Sequence, residues 1–554
     1  MIEKSRARKL SERLEKLSPE KRAAFEEALA AEGIDLWALP IVPGGDLENQ
    51  PLSAGQEWLW NLFSLDPRST LYNLPAAMWI HGPLDIDVIP RVLESLVRRH
   101  DVFRTRFTES AAGVHASVSS EANIDFAVVE LSSDQDSDAA VRALWSESFD
   151  LRTGGLLRVR LIRVAPEKHL LAFSLHHIIA DAWSMNLLMA EVGQLYHAHA
   201  AGSESPLNDL PVQYADFARW QRRWLRSATA TDDLSYWKSQ LAGANADLGV
   251  LGDRLRPLEP SFRGGVASRT LDVKDGSALA SWARGAGMTL YAALLAVFQM
   301  TLSRVGGRTD LSLGSSIAQR PRPETENLLG FFVNTLVLRA DLKGHPSFRE
   351  ALHRTHASVL TALEHQNLPF EKVAEALRVD GSDGPLFRGF FVLQNVPTRA
   401  VDLGELRFAP YETEGPGHSR FDLTLRATEQ ADGAIALALE YAKDLFSASG
   451  ADGLLSRFAR LLHEGLAHPD QPFEQLALLE PVAEKRILKA GQEETRPITP
   501  SLLARVRDRA KASPLSLAVG LRGRGGQRGQ EEQVGVSFGD LWHRAGEVAV
   551  VLRG

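Results

Sequence analysis

The chain has 554 residues, with 62 Lys or Arg against 70 Asp or Glu and a formal net charge of −8. This mild acidity argues against a protein that binds nucleic acid through its phosphates. The absence of cysteine excludes disulfides, thiolate catalysis and Cys-type zinc sites, and a hydrophobic content of 44% excludes a disordered chain. No run of about 18 apolar residues is present and the N-terminus is charged, so we expect no membrane span, no signal peptide and a cytoplasmic location.

One helix is predicted in the N-terminal segment, from about Ser18. Ser18-Pro19-Glu20 is typical of a helix start, because Ser can cap, Pro fits the first turn and Glu complements the helix dipole. The helix should end near Gly33, and few of its positions are apolar. Residues 1–50 are therefore predicted to form a helical leader and linker, either solvated or docked on a partner.

The next 430 or so residues read as two α/β blocks of comparable length. In the first block, strands are predicted at 77–80, 157–164 and 170–175 and a helix at 89–99. A charged helical stretch at 217–241 leads to the second block, with predicted helices at 290–304 and 347–367 and strands at 311–317, 333–338 and 390–394. We predict an α/β protein with halves at 51–228 and 229–480, and such halves invite a site in the cleft between them.

Two adjacent histidines mark the most informative stretch of the sequence. His176 and His177 follow a predicted strand, and strand alternation turns their side chains to opposite faces. Zinc ligands converge on one point, so no metal site is predicted. Two interpretations stay open: both histidines are buried and satisfied while Asp181 caps the next helix, or one imidazole, with an ordinary pKa of about 6.5, enters a cleft for proton transfer.

Seven short motifs follow one another along the chain. The central one is His176-His177-Ile178-Ile179-Ala180-Asp181, and the others lie at 52–60, 99–107, 214–221, 315–320, 330–336 and 365–371. Their content and order resemble the condensation domains of nonribosomal peptide synthetases, from about Leu52 to Leu478. Two positions depart from the family pattern: Ala182 replaces the usual Gly after the central motif, and Glu57 stands where a basic or polar residue is more usual.

The resemblance implies a fold and a reaction. The fold would be a V-shaped pseudo-dimer of two chloramphenicol acetyltransferase-like subdomains with an active-site tunnel between them. The reaction would be amide formation, in which the amine of an aminoacyl group on a downstream carrier protein attacks a donor acyl thioester. No permanently bound cofactor is implied, since the substrates travel on phosphopantetheine arms or coenzyme A.

The resemblance also implies roles for individual residues. His177 would be catalytic, either as a general base or as the group that orients the amine and stabilises charge. Four residues would support the active-site loop, with Arg320 holding Asp181: His176, Asp181, Ala182 and Arg320. Ser315 and Asn334 are candidates for polar groups near the tunnel, and a plain strand role is equally compatible with each.

The two ends of the chain bear on the subtype. Residues 481–554 are interpreted as an interdomain linker and the truncated start of an adenylation domain, because Ser537-Phe538-Gly539-Asp540-Leu541 resembles the opening of one. No carrier protein is recognisable before Leu52, which favours a starter domain that N-acylates the first amino acid with fatty acyl-CoA in lipopeptide biosynthesis. An elongation domain supplied by an upstream carrier protein is the alternative. Ala182 keeps a catalytically silent recruitment module open as well.

Overall fold

The computed structural model describes residues 4–111, 113–131, 134–250, 252–320, 322–379, 385–394, 401–411, 417–492, 502–522 and 533–551. The chain divides into two compact units, Met1–Leu478 and Leu479–Gly554. This division lies close to the predicted start of the last segment at residue 481. The first unit contains the leader and both α/β halves.

The leader folds onto the first unit. It comprises α1 (Lys4–Lys16), α2 (Pro19–Ala31) and, after a linker, the short strand β1 (Gln50–Pro51). Ser18 precedes α2 as predicted, although its side chain makes no capping hydrogen bond. Glu15 lies 2.7 Å from Arg223 and also pairs with Arg219, and all three side chains are largely buried. Ion pairs thus hold the leader against its own domain. One of the two predictions was a solvated leader, and the structure does not have it.

The first half is built around a mixed sheet. Its elements, in chain order, are α3 (Ala54–Leu65), β2 (Asn73–His81), α4 (Ile89–Arg99), β3 (Thr105–Ser110), β4 (Gly113–Val118), β5 (Asp125–Glu130), α5 (Asp134–Trp145), β6 (Leu157–Ala165), β7 (Lys168–His176), α6 (Ala182–Ala200) and α7 (Tyr214–Trp224). The predicted strands at 77–80, 157–164 and 170–175 and the helix at 89–99 are confirmed. β1, β4 and β3 form a separate three-stranded sheet.

The second half repeats the layered architecture. Its elements are α8 (Ala228–Leu241), β8 (Gly264–Leu271), α9 (Val273–Gly285), α10 (Leu290–Gly306), β9 (Asp310–Ile317), β10 (Asn334–Asp341), α11 (Phe348–Glu364), α12 (Phe370–Val379), β11 (Gly389–Gln394), β12 (Val401–Leu403), β13 (Leu406–Pro410), β14 (Leu423–Glu429), β15 (Ile435–Ala442) and α13 (Ala448–Ala467). The predicted elements of this block are confirmed, and the predicted helical stretch at 217–241 is two helices, α7 and α8. Six strands form its sheet in the order β10-β9-β11-β14-β15-β8.

The second half contributes two strands to the sheet of the first half. β13 pairs antiparallel with β2, so that Phe408 lies opposite Ile80, and the first sheet runs β12-β13-β2-β7-β6-β5. Leu406 and Phe408 are buried in the hydrophobic core of the first half. The predicted boundary between residues 228 and 229 therefore does not separate the two sheets. β12 and β13 come late in the chain, yet they complete the sheet of the first half. Backbone hydrogen bonds and apolar burial thus hold the halves together.

The second unit contains three helices and a two-stranded sheet: α14 (Pro481–Gln492), α15 (Leu502–Ala512), β16 (Leu517–Arg522), β17 (Gln533–Ser537) and α16 (Phe538–Val551). Ser537 accepts a hydrogen bond from the backbone N–H of Asp540 at 3.1 Å, which caps α16. The last strand therefore ends at Ser537, and the last helix begins at Phe538.

The helices of the described residues are too short or too polar to cross a membrane one at a time. No one helix among them combines the length and apolarity needed to cross a bilayer; α9 and α10 meet those criteria only together, with a bend of 114° between them. α10 is buried in the hydrophobic core of the second half. The described part of the chain also holds no group of three or more His, Asp or Glu side chains that could bind a metal ion.

Candidate active site

The histidine pair lies where the central strand β7 ends. β7 is flanked by β2 and β6 and is buried from His169 to His176. His177 starts a single 3₁₀ turn, His177–Ile179, before α6 begins. The backbone N–H of His177 donates to the carbonyl of Tyr72 at 2.8 Å. The turn thus fixes the second histidine at the C-terminal end of this strand, with its side chain half-buried.

The hydrogen bonds of His177 define its tautomer. Its Nδ1 lies 2.8 Å from the carbonyl oxygen of Ala180, which can only accept, so Nδ1 carries the proton. In the neutral ring, Nε2 is then the unprotonated nitrogen. Among the described residues Nε2 has no hydrogen-bond partner, and it is therefore free to accept a proton or a hydrogen bond from a ligand. The ring packs edge-on against Phe331, with centroids 5.1 Å apart.

The surroundings of His177 keep the imidazole neutral. Burial, and then the positive charge of Arg420, lowers the pKa of His177 from its ordinary value to about 4. Arg420 makes no ion pair with a described residue, and its guanidinium lies 5.0 Å from the centroid of the Tyr72 ring. Burial lowers the pKa of Arg420, although part of this residue is exposed to solvent. Arg420 is thus a solvent-exposed cation whose charge acts on the His177 ring.

His176 has a different environment. Its Nδ1 accepts the backbone N–H of Ile178 at 3.1 Å, and its ring meets Phe149 edge-on at 6.3 Å between centroids. Burial, then the neighbouring charges, lowers the pKa of His176 to about 3. The two rings face different neighbours, as strand alternation predicts. His176 holds the turn through its contact with the backbone, whereas Nε2 of His177 has no partner among the described residues.

Asp181 is the centre of a buried polar network. Its Oδ1 accepts from the backbone N–H of Ser184 at 2.8 Å and from Arg320 Nη2 at 3.2 Å, and its Oδ2 accepts from the backbone N–H of Phe332 at 3.1 Å. The side chains of Asp181 and Arg320 are each 3% exposed. Arg320 also donates to two backbone carbonyls at 2.6 Å, those of Thr325 and Leu328. The predicted partners are thus together, and their network joins the histidine turn to the second half.

Ala182, the departure from the family Gly, causes no strain. It is the first residue of α6, it is exposed, and its φ is not positive. Alanine is the most favourable residue in a helix, so the methyl group suits this position. The structure gives no physical reason for the loop to be distorted by Ala182.

Ser315 and Asn334 are both buried and bonded to protein groups. The Ser315 hydroxyl lies 2.6 Å from the Tyr291 hydroxyl and donates to the Phe391 carbonyl at 2.7 Å. Asn334 donates to the carbonyls of Gln366 and Leu368, both at 2.8 Å, and accepts from the backbone N–H of Phe370 at 2.9 Å. Asn334 thereby fixes the segment that leads into α12. A contact of either side chain with substrate stays a prediction.

Two residues of the site were not predicted from the sequence. Ser184 lies in the Asp181 network: its hydroxyl is 2.7 Å from Asp181 Oδ1 and accepts from Arg320 at 2.9 Å and from the backbone N–H of Gly330 at 3.1 Å. The spacing Asp-x-x-Ser at a helix start is a signal that could have found it. Arg420 has no such signal, because it stands alone in a loop before β14.

The comparisons with known proteins agree with this architecture. A family model described as the condensation domain matches residues 47–488. The chain is 38% identical over 462 residues to one of the linear gramicidin synthase proteins of Brevibacillus parabrevis, and the match covers 82% of this chain and 6% of the synthase. This chain spans less than a tenth of the length of the linear gramicidin synthases that it matches.

Two solved structures extend the comparison. The X-domain from teicoplanin biosynthesis is 28% identical, with a TM-score of 0.73 over 79% of this chain and 100% of that chain. The starter condensation domain of rhizomide synthetase, solved in complex with C8-CoA, is 21% identical and shares the fold, with a TM-score of 0.67 over 78% of this chain and 98% of that chain. The chain therefore belongs to the condensation-domain family of nonribosomal peptide synthetases.

Proposed function

We propose that this domain forms an amide bond between a donor acyl thioester and the amine of an aminoacyl group carried on a phosphopantetheine arm. The observation that carries the proposal is the free Nε2 of His177, which the bond from Nδ1 to the Ala180 carbonyl leaves unprotonated. The Asp181–Arg320 network supports it, because it fixes the turn that bears this nitrogen. The partners are a downstream aminoacyl carrier protein and a donor, and the expected compartment is the cytoplasm.

The reaction replaces a carbon–sulfur bond of the donor by a carbon–nitrogen bond. The amine nitrogen bonds to the donor carbonyl carbon, the carbon–sulfur bond breaks, and the proton lost by the nitrogen is taken up by the leaving thiolate. His177 Nε2 accepts the N–H of the attacking amine. An imidazole whose pKa is lowered to about 4 is a weak base at neutral pH. We therefore assign His177 the role of orienting the amine and stabilising its developing charge rather than removing the proton completely.

For the donor we propose a fatty acyl-CoA, which would make this a starter domain. The rhizomide starter domain bound to C8-CoA supports only the fold, at 21% identity. The alternative donor is an acyl or peptidyl group on an upstream carrier protein, in line with the 38% identity to a linear gramicidin synthase. The second unit we assign to the linker and the start of an adenylation domain, on the strength of the strand and helix at its end.

A second candidate function is recruitment without catalysis. It is favoured by the similarity to an X-domain, which has also been solved as a complex with OxyB. The free Nε2 of His177 and the unstrained Ala182 favour the enzyme.

One experiment tests these alternatives. The protein is mixed with a downstream carrier bearing an amino acid and with acyl-CoA or carrier-bound donors, and the product is identified by mass beside His177→Ala. An acylated aminoacyl carrier that forms from acyl-CoA and is lost in the variant supports a starter domain. Product from carrier-bound donors only would replace the starter by the elongation type. Folded protein that makes no product with any donor would overturn amide formation and favour recruitment.

A further inference from the structure

The proposed reaction creates negative charge on the oxygen of the donor carbonyl. When the amine attacks, the nitrogen–carbon bond forms and the π electrons of the carbonyl move to its oxygen, which becomes an oxyanion. This electron pair returns to the carbon as the carbon–sulfur bond breaks and the thiolate leaves. In the proposed step His177 holds the amine, so the oxygen needs a donor of its own. A cation or hydrogen-bond donor there would lower the barrier, because the charge develops in the transition state.

The two polar residues that were predicted near the tunnel have no donor left for an oxyanion. The hydroxyl hydrogen of Ser315 is donated to the carbonyl of Phe391 at 2.7 Å. Both amide hydrogens of Asn334 are donated, to the carbonyls of Gln366 and Leu368 at 2.8 Å. These two side chains therefore hold the protein backbone, and the donor to the oxyanion has to come from elsewhere in the site.

Arg420, in the loop before β14, is a cation whose donors are not used. Among the described residues its guanidinium makes neither an ion pair nor a hydrogen bond, and it lies 5.0 Å from the centroid of the Tyr72 ring. The charges of Glu440 and Arg426 act on it, but these two are already paired with each other at 2.8 Å. Arg420 is exposed, so its N–H groups can be reached by a ligand.

Contacts on both sides fix the loop that carries Arg420. The backbone N–H of Ser419 donates to the carbonyl of Phe262 at 2.8 Å. The ring of Phe421 stacks on that of Phe390, with centroids 4.8 Å apart and planes only 1° apart. The backbone of Arg420 is thus held in place before a substrate binds, which is the preorganisation that electrostatic stabilisation requires.

Tyr72 connects Arg420 to the turn that bears His177. Its ring contacts the guanidinium, and its carbonyl accepts the backbone N–H of His177 at 2.8 Å. One residue of the first half therefore contacts both the cation of the second half and the histidine turn. The positive charge of Arg420 also acts on the imidazole, where it adds to the effect of burial in lowering the pKa of His177. The same charge would attract an oxyanion formed beside the ring.

We propose that Arg420 is a catalytic residue that donates hydrogen bonds to the oxyanion of the tetrahedral intermediate and supplies its counter-charge. His177 Nε2 holds the amine on one side of the donor carbonyl carbon, and Arg420 holds the oxygen on the other. The inference rests on the proposed function, since the oxyanion forms on the donor acyl thioester. Every donor has this carbonyl, so Arg420 acts alike on acyl-CoA and carrier-bound donors.

The kinetic test compares Arg420→Met and Arg420→Lys with wild type, with Arg263→Met as the matched control. Arg263 lies opposite His418 in the same region, but its guanidinium bonds to Ser261 at 3.3 Å. Arg420→Met should lower kcat about a hundred- to a thousandfold with little change in KM, as for a lost oxyanion donor. Arg420→Lys should retain more activity, because it keeps the charge, and Arg263→Met should match wild type.

The conditions separate this role from an effect on His177. At pH 8 the imidazole is neutral even if the loss of Arg420 raises its pKa to the ordinary value of about 6.5, so a change in that pKa cannot cause the loss of kcat. Guanidinium ion added to Arg420→Gly should restore part of the lost kcat, which a purely structural role would not allow. A wild-type kcat in Arg420→Met, an equal loss in Arg263→Met, or a change in KM alone would overturn the inference.

A binding experiment gives an answer without turnover. Octylphosphonate, a tetrahedral anion on an acyl-like chain, and the neutral octanamide are titrated into the full chain by calorimetry. Octylphosphonate should bind Arg420→Met about ten- to a hundredfold more weakly than wild type, the range for a lost hydrogen bond to a charged group, and octanamide should bind both alike. Equal binding of octylphosphonate to both proteins, or none to wild type, would overturn the inference. If wild type makes no product with any donor, the proposed function fails, and this comparison still decides whether Arg420 forms an anion site.

Discussion

The Asp181–Arg320 pair offers the sharpest test of how the active-site turn is held. Arg320→Met keeps the length and apolar stem of the side chain and removes the guanidinium. Asp181→Asn keeps the shape of the carboxylate and removes its charge. If the pair joins the two halves, each variant should destabilise the first unit, and the two effects should be coupled in the double variant.

The magnitude follows from the contacts. Removing one partner of a buried ion pair costs about 3–5 kcal/mol. We expect the lower end, about 3 kcal/mol, for Arg320→Met, because Asp181 retains donors from Ser184 and from the backbone of Phe332. Asp181→Asn should cost a similar amount, since Arg320 then lies buried without a counter-charge. The double variant should cost less than the sum of the single ones by about 1–2 kcal/mol.

The free energies are measured by urea unfolding of the full chain, followed by near-ultraviolet circular dichroism. Product formation is measured in parallel at a temperature where each variant is folded. Activity should fall in both single variants, because the turn that bears His177 loses its anchor to the second half. Arg320→Lys serves as the control that retains the charge but loses the second carbonyl contact, and it should lie between wild type and Arg320→Met.

Two results would refute this reasoning. Strictly additive free energies in the double variant would mean that the pair does not act as a unit. An Asp181→Asn variant as stable as wild type but inactive would assign Asp181 a part in the chemistry instead of a structural one. Both results can be obtained from the wild type, Arg320→Met, Asp181→Asn and the double variant.

Three further predictions follow from the site. Burial lowers the pKa of His177 to about 4, so between about pH 6.5 and pH 4 the unfolded chain binds a proton that the native chain does not. The free energy of unfolding should therefore decrease as the pH is lowered from about 6.5 to about 4. His177→Gln should make this pH dependence weaker in urea titrations. Arg420→Met should raise the pKa of His177, seen in its NMR titration, and Arg420→Lys should not; an unchanged pKa in Arg420→Met would mean that burial alone sets it. Gly330→Ala should destabilise the domain by more than about 1 kcal/mol in the same urea assay, because its Cβ would meet the Tyr214 ring at 1.9 Å; a neutral effect would show that the ring can move aside.

The motifs and the local periodicity determined much of this protein from the sequence. The apolar run at residues 170–175 defined β7, strand geometry defined the divergence of the two histidines, and the apolar spacing defined α4, α10 and α11. These features depend on neighbours a few residues apart, which is why they can be read locally. The pairing of Asp181 with Arg320 came from family resemblance, since nothing local links two residues so distant in sequence.

The tertiary structure decided what distant segments do together. Residues 401–410 complete a sheet that began more than 300 residues earlier, the leader pairs with α7, and Arg420 comes to lie beside His177. None of these placements leaves a local signal, because strand pairing and ion pairing are fixed by backbone geometry and burial over the whole unit. The unprotonated Nε2 of His177 is likewise visible only in the folded structure, because the partners of a side chain, unlike its strand or helix, are determined by tertiary packing.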